Sequence, residues 1–586
     1  GRCWRCHNEV RLIRRPTWFL RVTPYLEEND RNLERFERWD ELSLAAQRYI
    51  LGRTDGVELD LAAVDGRAAA NRAGRALTVF TPHADSLAQA RFVLLSPRHP
   101  EVESWASQPA VQEQLDELRS GGWERSARDA AAVPLIDTGR SVAGPAGGEL
   151  PVLVSPLVDA RYGPTAALGI PAADEADAAI AARMERTAGE RQQSSCGRSF
   201  RRYAEGNATS GERGGGDVAS DVRPAMRYRA FDFSISRQRY WGTPIPVIHC
   251  ERCGAVPVPA EELPVRLPRD VEPTGEGNPL AERPDFADVP CPRCGAPARR
   301  ETDTLDCHFD ALWLWVPAAV PPEGREERMF THPGLRQWLP SERLVAGNDS
   351  GGFVFDQRVV TKALRDIGPL AFLADGEPFA GCLFHEMVIA DGRKMSKHLG
   401  NVVDPDALVE RHGADTVRLA VLYAAGPAKT LNWNEGALRF ASRFLNGLWD
   451  YTHDHLAAAA AAPADAEAAA DTAFIRERLG KWCDNGLGRI TAELEALQMH
   501  KAVRDVARLF ERVQDYEKRI LERRGELGSE DFEALLAALV LLARVLAPFA
   551  PHVAEQLLLA LGREDGRELP GPWPEPSSAE AAPVGA

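Results

Sequence analysis

The four residues Lys394-Met395-Ser396-Lys397 carry the side chains expected of a loop that handles phosphate groups. The two lysines are mobile, compact cations, which together could neutralise charge developing on a transferring phosphoryl or adenylyl group. Gly392 and Gly400 flank the tetrapeptide and leave its backbone free to move. We therefore predict a mobile phosphate-binding loop, with a solvated surface turn as the alternative.

A helix is predicted to begin directly after this loop. Asp404 has the side chain of an N-cap, and Pro405 suits the first helical position. The helix should run through Arg411, and Gly413 should end it. The lysines then lie just ahead of a helix start.

Two Cys-x-x-Cys pairs form the second chemical signal, and each is followed by a glycine that frees the turn. The pairs are Cys250 with Cys253 and Cys291 with Cys294. Four thiolates at this spacing predict a structural zinc ion, with a metal-free site as the alternative. A catalytic zinc is not expected, because four thiolates leave no open coordination position.

A third pair, Cys3 with Cys6, has no nearby third or fourth ligand. Any metal bound there is expected to need residues upstream of Gly1. The ten cysteines are few for 586 residues, and six of them form these pairs. This pattern indicates metal ligation in a reducing cytoplasm rather than a disulfide scaffold.

Length and composition describe a large globular protein. A chain of 586 residues should form roughly three to five domains. A hydrophobic fraction of 44% with 27% charged residues is ordinary for a soluble protein. Because the sequence has no apolar run of about eighteen residues, no membrane span is expected. The net charge of −16 argues against wholesale nonspecific binding of nucleic acid, although local basic patches could still hold one.

The composition and the hydrophobic periodicity of the sequence change along the chain. Residues 25–39 predict an amphipathic helix, and an α/β insert follows with strands at 57–61, 76–80, 90–95 and 150–156 and helices at 110–118 and 175–184. Residues 186–222 are rich in Gly, Ser and Arg and too poor in apolar residues to pack a core, which predicts a mobile linker. Near the C-terminus, apolar spacings of three and four predict a bundle with helices at 437–450, 472–493, 501–523 and 529–561.

A basic and aromatic cluster, Ser236-Arg237-Gln238-Arg239-Tyr240-Trp241-Gly242, precedes the apolar run 244–248. Such a cluster before a buried strand can contact a phosphate or nucleotide. A solvated edge is the alternative.

Together these segments resemble class I aminoacyl-tRNA synthetases. The resemblance rests on Lys394-Met395-Ser396-Lys397 followed by Gly400-Asn401, on the run from Ser236, and on Glu301-Thr302-Asp303-Thr304-Leu305-Asp306. The most similar member is the leucyl-tRNA synthetase family, through Cys3-Trp4-Arg5-Cys6 before Trp18-Phe19, Leu51-Gly52-Arg53-Thr54-Asp55-Gly56 and Gly413-Ala414-Asp415-Thr416-Val417-Arg418-Leu419. Isoleucyl- and valyl-type enzymes share the architecture and are the alternative.

The resemblance implies a multidomain α/β fold with a Rossmann-type catalytic core. The implied segments are the end of the first catalytic half and a connector (1–50), an editing-like insert (51–186), a flexible linker (187–226), the second catalytic half (227–436) with a zinc-ribbon-like module (248–300), a helical anticodon-binding domain (437–565) and a tail (566–586). It also implies a cytoplasmic monomer.

The implied reaction activates leucine with ATP and Mg²⁺, releases pyrophosphate and passes the aminoacyl group to the 3′ end of a tRNA. Residues 394–397 would bind ATP, and Lys394, Ser396 and Lys397 would be catalytic. Catalysis would consist mostly of positioning and electrostatic stabilisation.

The insert resembles a domain that hydrolyses mischarged tRNA, which matters because a binding pocket separates near-isosteric aliphatic side chains by only about 10–200-fold. The candidate residues are Thr81, Asp85, Ser86, Asp174 and Asp177, with Asp177 holding the substrate ammonium. The motif Thr81-Pro82-His83-Ala84-Asp85-Ser86 departs from the family pattern, having lost a threonine and an arginine. A second motif reads Tyr162-Gly163-Pro164-Thr165-Ala166 where Gly-Thr-Gly-Ala is usual, and Ala173 replaces a histidine. Weakened hydrolysis on a retained fold is the alternative to active editing.

The second catalytic half also departs from the family pattern. The segment Leu344-Val345-Ala346-Gly347-Asn348-Asp349-Ser350-Gly351-Gly352 lacks two histidines that the family usually carries, and Ala311-Leu312 replaces Ser-Ser. His308 and Asp310 are candidate substitute contacts, with a core or surface role as the alternative. A His-Ile-Gly-His signature does not occur in these 586 residues. We therefore expect a leucyl-type synthetase piece that cannot form aminoacyl-adenylate alone, with a non-catalytic tRNA-binding paralogue as the alternative.

Overall fold

The computed structural model describes residues 15–64, 76–105, 109–120, 133–158, 166–192, 222–272, 277–461, 469–562 and 571–576. The chain divides into two compact units. The first consists of Gly1–Arg38, Leu44–Glu342 and Gly351–Gly381, and the second of Trp39–Ser43, Arg343–Ser350 and Cys382–Ala586.

A mixed seven-stranded sheet organises the α/β insert of the first unit. Two short strands precede it, β1 (Phe19–Leu20) and β2 (Arg38–Trp39). Its own strands are β3 (Thr54–Leu61), β4 (Leu77–Thr81), β5 (Phe92–Leu95), β6 (Ile136–Ala143), β7 (Glu149–Val154), β8 (Ala166–Gly169) and β9 (Arg223–Arg227). They lie in the order β6-β7-β5-β8-β4-β3-β9, in which β4 with β8 and β5 with β7 are the parallel pairs.

Strand β5 shows why this sheet has a core on both faces. Its sequence Phe-Val-Leu-Leu is entirely apolar, and all four residues are buried. Val93 and Leu95 pack into one hydrophobic cluster, whereas Phe92 and Leu94 pack into another. Because successive side chains of a strand point to opposite faces, a continuous apolar run serves a sheet covered on both sides.

Eleven helices are described before Gly381. The described ones are α1 (Leu26–Leu33), α2 (Glu41–Leu51), α3 (Pro100–Trp105), α4 (Pro109–Ser120), α5 (Glu175–Gln192), α6 (Pro284–Ala287), α7 (Cys307–Ala311), α8 (Trp315–Ala318), α9 (Arg325–Arg328), α10 (Pro333–Trp338) and α11 (Gly351–Asp366). Helix α11 contributes two fully buried cations, Arg358 and Lys362, and both bind the Glu377 carboxylate. Arg358 also donates to the Gln47 side chain and to the Asn29 carbonyl, which ties α11 to α1 and α2.

Two short strands follow the insert, and the second of them pairs the motif that begins at Ser236 with the motif that begins at Glu301. They are β10 (Phe233–Ser234), paired with β1, and β11 (Ser236–Arg237), paired with β16 (Thr304–Leu305). Between them lies a separate antiparallel sheet of β12 (Val247–Cys250), β13 (Gly254–Pro257), β14 (Asp288–Pro290) and β15 (Pro297–Arg300). Its order is β13-β12-β15-β14, so both cysteine pairs lie at hairpin ends of one small sheet.

The second unit begins with parallel pairing and continues as a helical bundle. Strand β17 (Leu344–Gly347) pairs with β18 (Gly381–His385), and β19 (Val388–Ala390) lies between β20 (Arg393–Lys394) and β21 (Leu431–Asn432). The helices are α12 (Pro405–His412), α13 (Ala414–Ala424), α14 (Gly436–Ala461), α15 (Ala469–Glu495), α16 (Met499–Arg524), α17 (Ser529–Leu546) and α18 (Pro551–Ala560). Their apolar faces form one continuous core.

Several predicted elements are confirmed. Strands at 57–61, 76–80, 90–95 and 150–156 correspond to β3, β4, β5 and β7. The helices predicted at 437–450, 472–493 and 501–523 lie within α14, α15 and α16. The bundle is confirmed because its apolar residues recur at three and four positions, as in α16, whose buried face includes Val503, Val506 and Phe510.

Other predicted boundaries are wrong. The single helix predicted over 529–561 is two helices, because Pro548 and Pro551 have no amide hydrogen to donate. The helix predicted over 25–39 ends at Leu33, and Trp39 lies in β2. Strands β6 and β8 were not predicted, and α5 continues to Gln192, into the predicted linker. Strand β9 begins at Arg223, inside the segment predicted to be a flexible linker as far as residue 226. Residues 193–221 lie outside the described residues, as do Cys3 and Cys6.

None of the described helices is both long and apolar enough to cross a membrane.

Candidate functional site: the lysine loop, the cysteine cluster and the insert

The lysine loop begins as a tight hairpin. Ala390 on β19 pairs with Arg393 on β20, so Asp391 and Gly392 form the turn between the strands. Both turn residues have positive φ, 53° and 71°, as a two-residue hairpin turn of the primed type requires. Lys394 follows on β20, where it is exposed. The strand pairing therefore fixes the backbone of the first lysine.

The second half of the loop is a short 3₁₀ turn, Lys397–Leu399. The Ser396 hydroxyl caps this turn by accepting the His398 amide at 3.2 Å. Gly400 closes the turn in the left-handed conformation, with φ 65°. Lys397 is exposed, like Lys394, while Met395 and Ser396 are half-buried. The loop thus presents two ammonium groups to solvent on either side of an ordered Met-Ser pair.

Asn401 joins the two halves of the loop. Its side-chain oxygen accepts the Ser396 amide at 2.9 Å, and its amide nitrogen donates to the carbonyls of Ala390 and Lys394, each at 3.3 Å. The role of this asparagine was not predicted from the sequence. The signal available was an asparagine directly after a glycine, at the end of a loop that must hold its shape.

The helix predicted after the loop is confirmed. Asp404 caps α12 by accepting the Asp406 amide at 3.0 Å, and Pro405 occupies the first helical position. Gly413 follows the last helical residue with φ 83°, a conformation that residues with a Cβ adopt only at a cost.

The two cysteine pairs converge on one point. The Sγ atoms of Cys250, Cys253, Cys291 and Cys294 all lie within 4.8 Å of one another. Cys250 and Cys294, one from each pair, have their sulfurs 3.7 Å apart. In a tetrahedral site with Zn–S bonds of about 2.3 Å, sulfurs lie about 3.8 Å apart. The geometry of the four thiols therefore fits a zinc ion.

Backbone turns hold each cysteine pair. Gly254 and Gly295 have φ near 70° and open space where a Cβ would lie. In the second knuckle the Gly295 amide donates to the Cys291 carbonyl at 2.8 Å, and the Cys291 amide donates to Ala296. These hydrogen bonds close the turn and direct both thiols to the same side.

In the insert, the predicted editing residues form two groups, one that begins at Thr81 and one that begins at Asp174. The structure brings both groups to the end of β4. Thr81 ends this strand, is buried, and accepts the His83 amide through its hydroxyl at 3.2 Å. Asp85 and Ser86 follow in a 3₁₀ turn, Ala84–Gln89. Strand β4 pairs with β8, which leads to the start of helix α5.

The two aspartates at the start of α5 have different surroundings. Asp174 caps the helix by accepting the amides of Ala176 and Asp177. Asp177 accepts the Ile170 amide at 2.7 Å. Burial raises the pKa of the Asp177 carboxyl, and the Ile170 hydrogen bond and the nearby His83 only partly oppose this. Because Phe80 pairs in parallel with Ala167, the segments that follow β4 and β8 leave the sheet at the same edge. Residues 162–165 lie outside the described residues.

The segments beginning at Ser236 and Glu301 lie side by side. Ser236 is buried, and its hydroxyl donates to Asp303 at 2.9 Å. Arg237 forms an ion pair with Asp306 at 2.7 Å, which the adjacent pairing of β11 with β16 allows. Trp241 is 76% exposed. In the basic and aromatic cluster from Ser236 to Gly242, the first residues thus lie in a short strand, and Trp241 lies on the exposed surface.

His308 has a partner that the sequence analysis missed. Its Nε2 atom lies 2.9 Å from Oδ2 of Asp356 on helix α11. This hydrogen bond raises the pKa of His308, while burial raises the pKa of Asp356. Phe233 and Phe353 meet the imidazole edge-on. Asp310, the other candidate, lies on α7 and is half-buried.

Comparison with protein families identifies three regions of this chain. Residues 225–434 match tRNA synthetases class I (I, L, M and V), residues 48–189 match the leucyl-tRNA synthetase editing domain, and residues 483–584 match the anticodon-binding domain of tRNA ligase. The matched regions include the lysine loop, the cysteine cluster and the residues around Thr81.

Individual relatives cover nearly all of the chain. A leucine–tRNA ligase from Halorhodospira halophila is 34% identical over 98% of this chain and 70% of its own length, and one from Oleidesulfovibrio alaskensis is 33% identical over 98% and 71%. Among solved structures, the LeuRS–tRNA–LeuAMS ternary complex of Agrobacterium radiobacter K84 matches with a TM-score of 0.73 and 26% identity, covering 98% of this chain and 69% of that one. The chain therefore belongs to the leucine–tRNA ligase family of class I aminoacyl-tRNA synthetases.

Proposed function

We propose that this protein acts in leucine–tRNA ligation, the ATP-dependent activation of leucine and its transfer to a tRNA. The observation that carries the proposal is the lysine loop. Two exposed ammonium groups, Lys394 and Lys397, flank a pair that the Asn401 side chain holds in place. In a chain of this family, such a loop suits the stabilisation of charge on ATP phosphates.

Each loop residue has a role in this proposal. Lys394 and Lys397 would contact the phosphates, and their flexible side chains could follow the charge as it moves to pyrophosphate. Ser396 orders the 3₁₀ turn and would donate its hydroxyl to the nucleotide, while Met395 would line the binding site. Mg²⁺ bound to ATP would neutralise further phosphate charge when present. The relatives' activity supports leucine as the amino acid.

We also propose that Cys250, Cys253, Cys291 and Cys294 hold a structural zinc ion. The support is the sulfur separation of 3.7 Å between the two knuckles and the spacing of all four thiols. Zinc would hold together the two hairpins of a sheet that is too small to form a sizeable core of its own.

For the insert we propose a hydrolytic site built on Thr81, Asp85, Ser86, Asp174 and Asp177. The parallel pairing of β4 with β8, which brings the segment after Thr81 and the start of α5 to the same edge of the sheet, supports this site. Asp177 would bind the substrate ammonium. Asp174 would act through the helix cap that it forms. Because a threonine and an arginine of the family motif are absent, we expect hydrolysis to be weaker than in the relatives.

The remaining assignments are proposals of the same kind. The boundaries near residues 50, 186, 226 and 436 are supported by the similar extents of two family matches. The boundary at 565 has no such support, because the anticodon-binding match spans residues 483–584. A cytoplasmic location is supported by the kind of enzyme that the relatives are. The monomeric state stays a prediction.

The test is a charging assay on the protein as its gene encodes it, with leucine, isoleucine and valine offered in parallel. We expect leucine to be charged at the highest kcat/KM, and preference for isoleucine or valine would overturn the proposal. Lys394→Ala and Lys397→Ala should each lower leucine-dependent ATP–pyrophosphate exchange by about 10²-fold. Lys429→Ala, which removes another exposed lysine of the same unit, is the matched control and should leave the exchange rate unchanged.

A further inference from the structure

A cavity of about 310 Å³ lies where helix α17 ends and helix α18 begins. It is lined by Pro548 and Pro551, in the break between these helices, and by residues 571–574, which include Trp573. All of these residues belong to the second unit. Small-molecule sites usually occupy about 300–1,000 Å³, so this cavity has room for a small ligand and not for a large one.

Hydrogen bonds hold the lining of the cavity in place. The Trp573 indole donates to the Thr491 hydroxyl at 3.0 Å, which anchors the segment 571–574 to helix α15. Arg418 on helix α13 donates to the Pro548 carbonyl at 3.2 Å, which anchors the break between the two helices. Because the lining is fixed before a ligand binds, little entropy is lost on binding.

Arg544 supplies an unpaired cation to the cavity. Its Nε atom is buried, and no described residue accepts a hydrogen bond from it. Two other arginines of the bundle have a carboxylate partner, since Arg476 and Arg524 both bind the buried Asp531. A buried cationic donor without an acceptor is costly. Arg544 is therefore poised to bind an anionic group, and its fork of donors matches the two oxygens of a carboxylate.

Glu555 supplies the opposite charge. It lies on helix α18, lines the same cavity and is exposed. In the part of the chain that the structure describes, neither Glu555 nor Arg544 forms an ion pair, with each other or with a third residue. A ligand with one charge of each sign would satisfy both side chains, whereas the Glu555 carboxylate would repel a phosphate group. The charges therefore favour a zwitterion over a nucleotide or a phosphodiester.

The rest of the lining is apolar. Four prolines contribute rings without a donor, namely Pro548, Pro551, Pro572 and Pro574. Trp573, which is 38% exposed, contributes an aromatic surface, and its Nε1 atom is already bound to Thr491. A polar side chain of a ligand would lose its water here without gaining a hydrogen bond from these residues. The lining therefore favours a ligand whose side chain is apolar.

We infer that this cavity binds a free apolar α-amino acid. Arg544 binds its carboxylate, Glu555 binds its ammonium group, and the side chain lies against the proline rings and Trp573. None of these residues belongs to the lysine loop or to the insert. The inference does not rest on the proposed function, because it concerns binding at a separate cavity and involves no chemical step.

The test measures binding of radiolabelled L-leucine to the whole protein, as its gene encodes it, by equilibrium dialysis. A saturating non-hydrolysable leucyl-adenylate analogue keeps leucine out of the site where adenylate would form. We expect about one further leucine to bind per chain, with a Kd of about 1 mM or lower. Arg544→Gln should weaken this binding at least about tenfold. The melting temperature should stay equal or rise, because the Arg544 Nε atom has no partner to lose.

A second probe separates the two charges. 4-Methylpentanoate has the carboxylate and the apolar chain of leucine but no ammonium group. Arg544→Gln should therefore weaken the binding of both probes, whereas Glu555→Gln should weaken leucine about tenfold and leave 4-methylpentanoate unchanged. Equal effects of Glu555→Gln on the two probes would overturn the assignment of a zwitterion.

Arg439→Gln is the matched control, because Arg439 lies on helix α14 of the same unit and is 68% exposed. It should keep full leucine binding, and leucine-dependent ATP–pyrophosphate exchange should be the same in all three variants. The inference is overturned if no leucine binds beyond the blocked site, if Arg544→Gln binds it normally, or if inorganic phosphate displaces it at equal concentration. A protein that binds leucine at this cavity without activating it would refute the proposed function alone.

Discussion

The side-chain oxygen of Asn401 accepts a hydrogen bond from the Ser396 amide at 2.9 Å, across the loop that carries both lysines. The same side chain donates to the Lys394 carbonyl. One asparagine therefore sets the backbone on both sides of Met395, and the loop can be mobile as a unit while it keeps its internal shape. Positioning of this kind matters because misplaced charges stabilise a transition state less well.

Replacing Asn401 with alanine should slow leucine activation without unfolding the protein. The change removes three hydrogen bonds from a loop at the surface, where water can satisfy the freed backbone groups. In the protein as its gene encodes it, we expect leucine-dependent ATP–pyrophosphate exchange to fall about tenfold, mainly in kcat, with the melting temperature nearly unchanged. Asn446→Ala, at an exposed asparagine of the bundle, is the control. Equal activity of Asn401→Ala and the unmodified protein would show that the loop does not depend on this side chain.

Removal of metal should affect the small cysteine sheet. If zinc is bound, Cys250→Ser should lower the zinc content, measured by mass spectrometry, from about one ion per chain to well below one. The melting temperature should fall with it. Cys307→Ser, at an exposed cysteine outside the cluster, should keep the full content. Purified protein that holds no zinc when prepared in zinc-supplemented medium would refute the site.

Much of this fold could be predicted from the sequence, because the conformational preferences of individual residues agree with the long-range contacts that the chain forms. Asp404, Pro405 and Gly413 mark the ends of α12 by their own conformational preferences, without help from the rest of the fold. The two cysteine knuckles carry their own turn glycines. Their convergence follows from ligand chemistry, so spacing along the chain was enough to predict it.

The contacts that could not be predicted join residues distant in sequence. Asp356 contacts His308 although the two residues are 48 positions apart in the sequence, and no pattern in either segment predicts this contact. Strand β6 was missed because Ile136–Ala143 combines four polar residues, a glycine and a bulge near Asp137, which obscures the alternation of apolar and polar residues expected of a strand. The break at Pro548 and Pro551 was missed because the apolar spacing continues on both sides of it.

Glu377 should be essential to the stability of the first unit. Its carboxylate binds Arg358 at 2.8 Å and Lys362 at 2.6 Å, and both cations are fully buried. Burial lowers the pKa of Lys362 to about 8, although Glu377 opposes this. Glu377→Ala would leave two buried cations without their anion, which should cost about 3–5 kcal/mol of unfolding free energy. Denaturant unfolding would measure this.

The control for Glu377 is Glu342→Ala. Glu342 also pairs with an arginine, Arg38, but its side chain is 82% exposed. An exposed pair should cost less than about 1 kcal/mol. Equal effects of the two substitutions would contradict the importance of the buried cluster.

Asp531 joins three helices of the bundle. Its fully buried carboxylate accepts hydrogen bonds from Thr472 and Arg476 on α15, from Arg524 on α16, and from the Gly528 amide at the start of α17. Burial alone would raise the pKa of Asp531, but the hydrogen bonds from Arg476, Gly528 and Thr472 outweigh it and hold the pKa below its ordinary value.

The stability of the bundle should therefore depend on Asp531 at acid pH. Because the folded-state pKa lies below the unfolded value, the contribution is complete above the unfolded pKa of about 4 and is lost as the pH falls through the folded-state pKa. Asp531→Asn should destabilise the protein by about 3 kcal/mol at pH 7 and show a smaller loss of stability below pH 4 than the unmodified protein. Glu530→Gln, at an exposed partner of the same Arg476, should change neither quantity appreciably. Parallel acid-unfolding curves for the unmodified protein and Asp531→Asn would exclude Asp531 as a main source of the acid dependence.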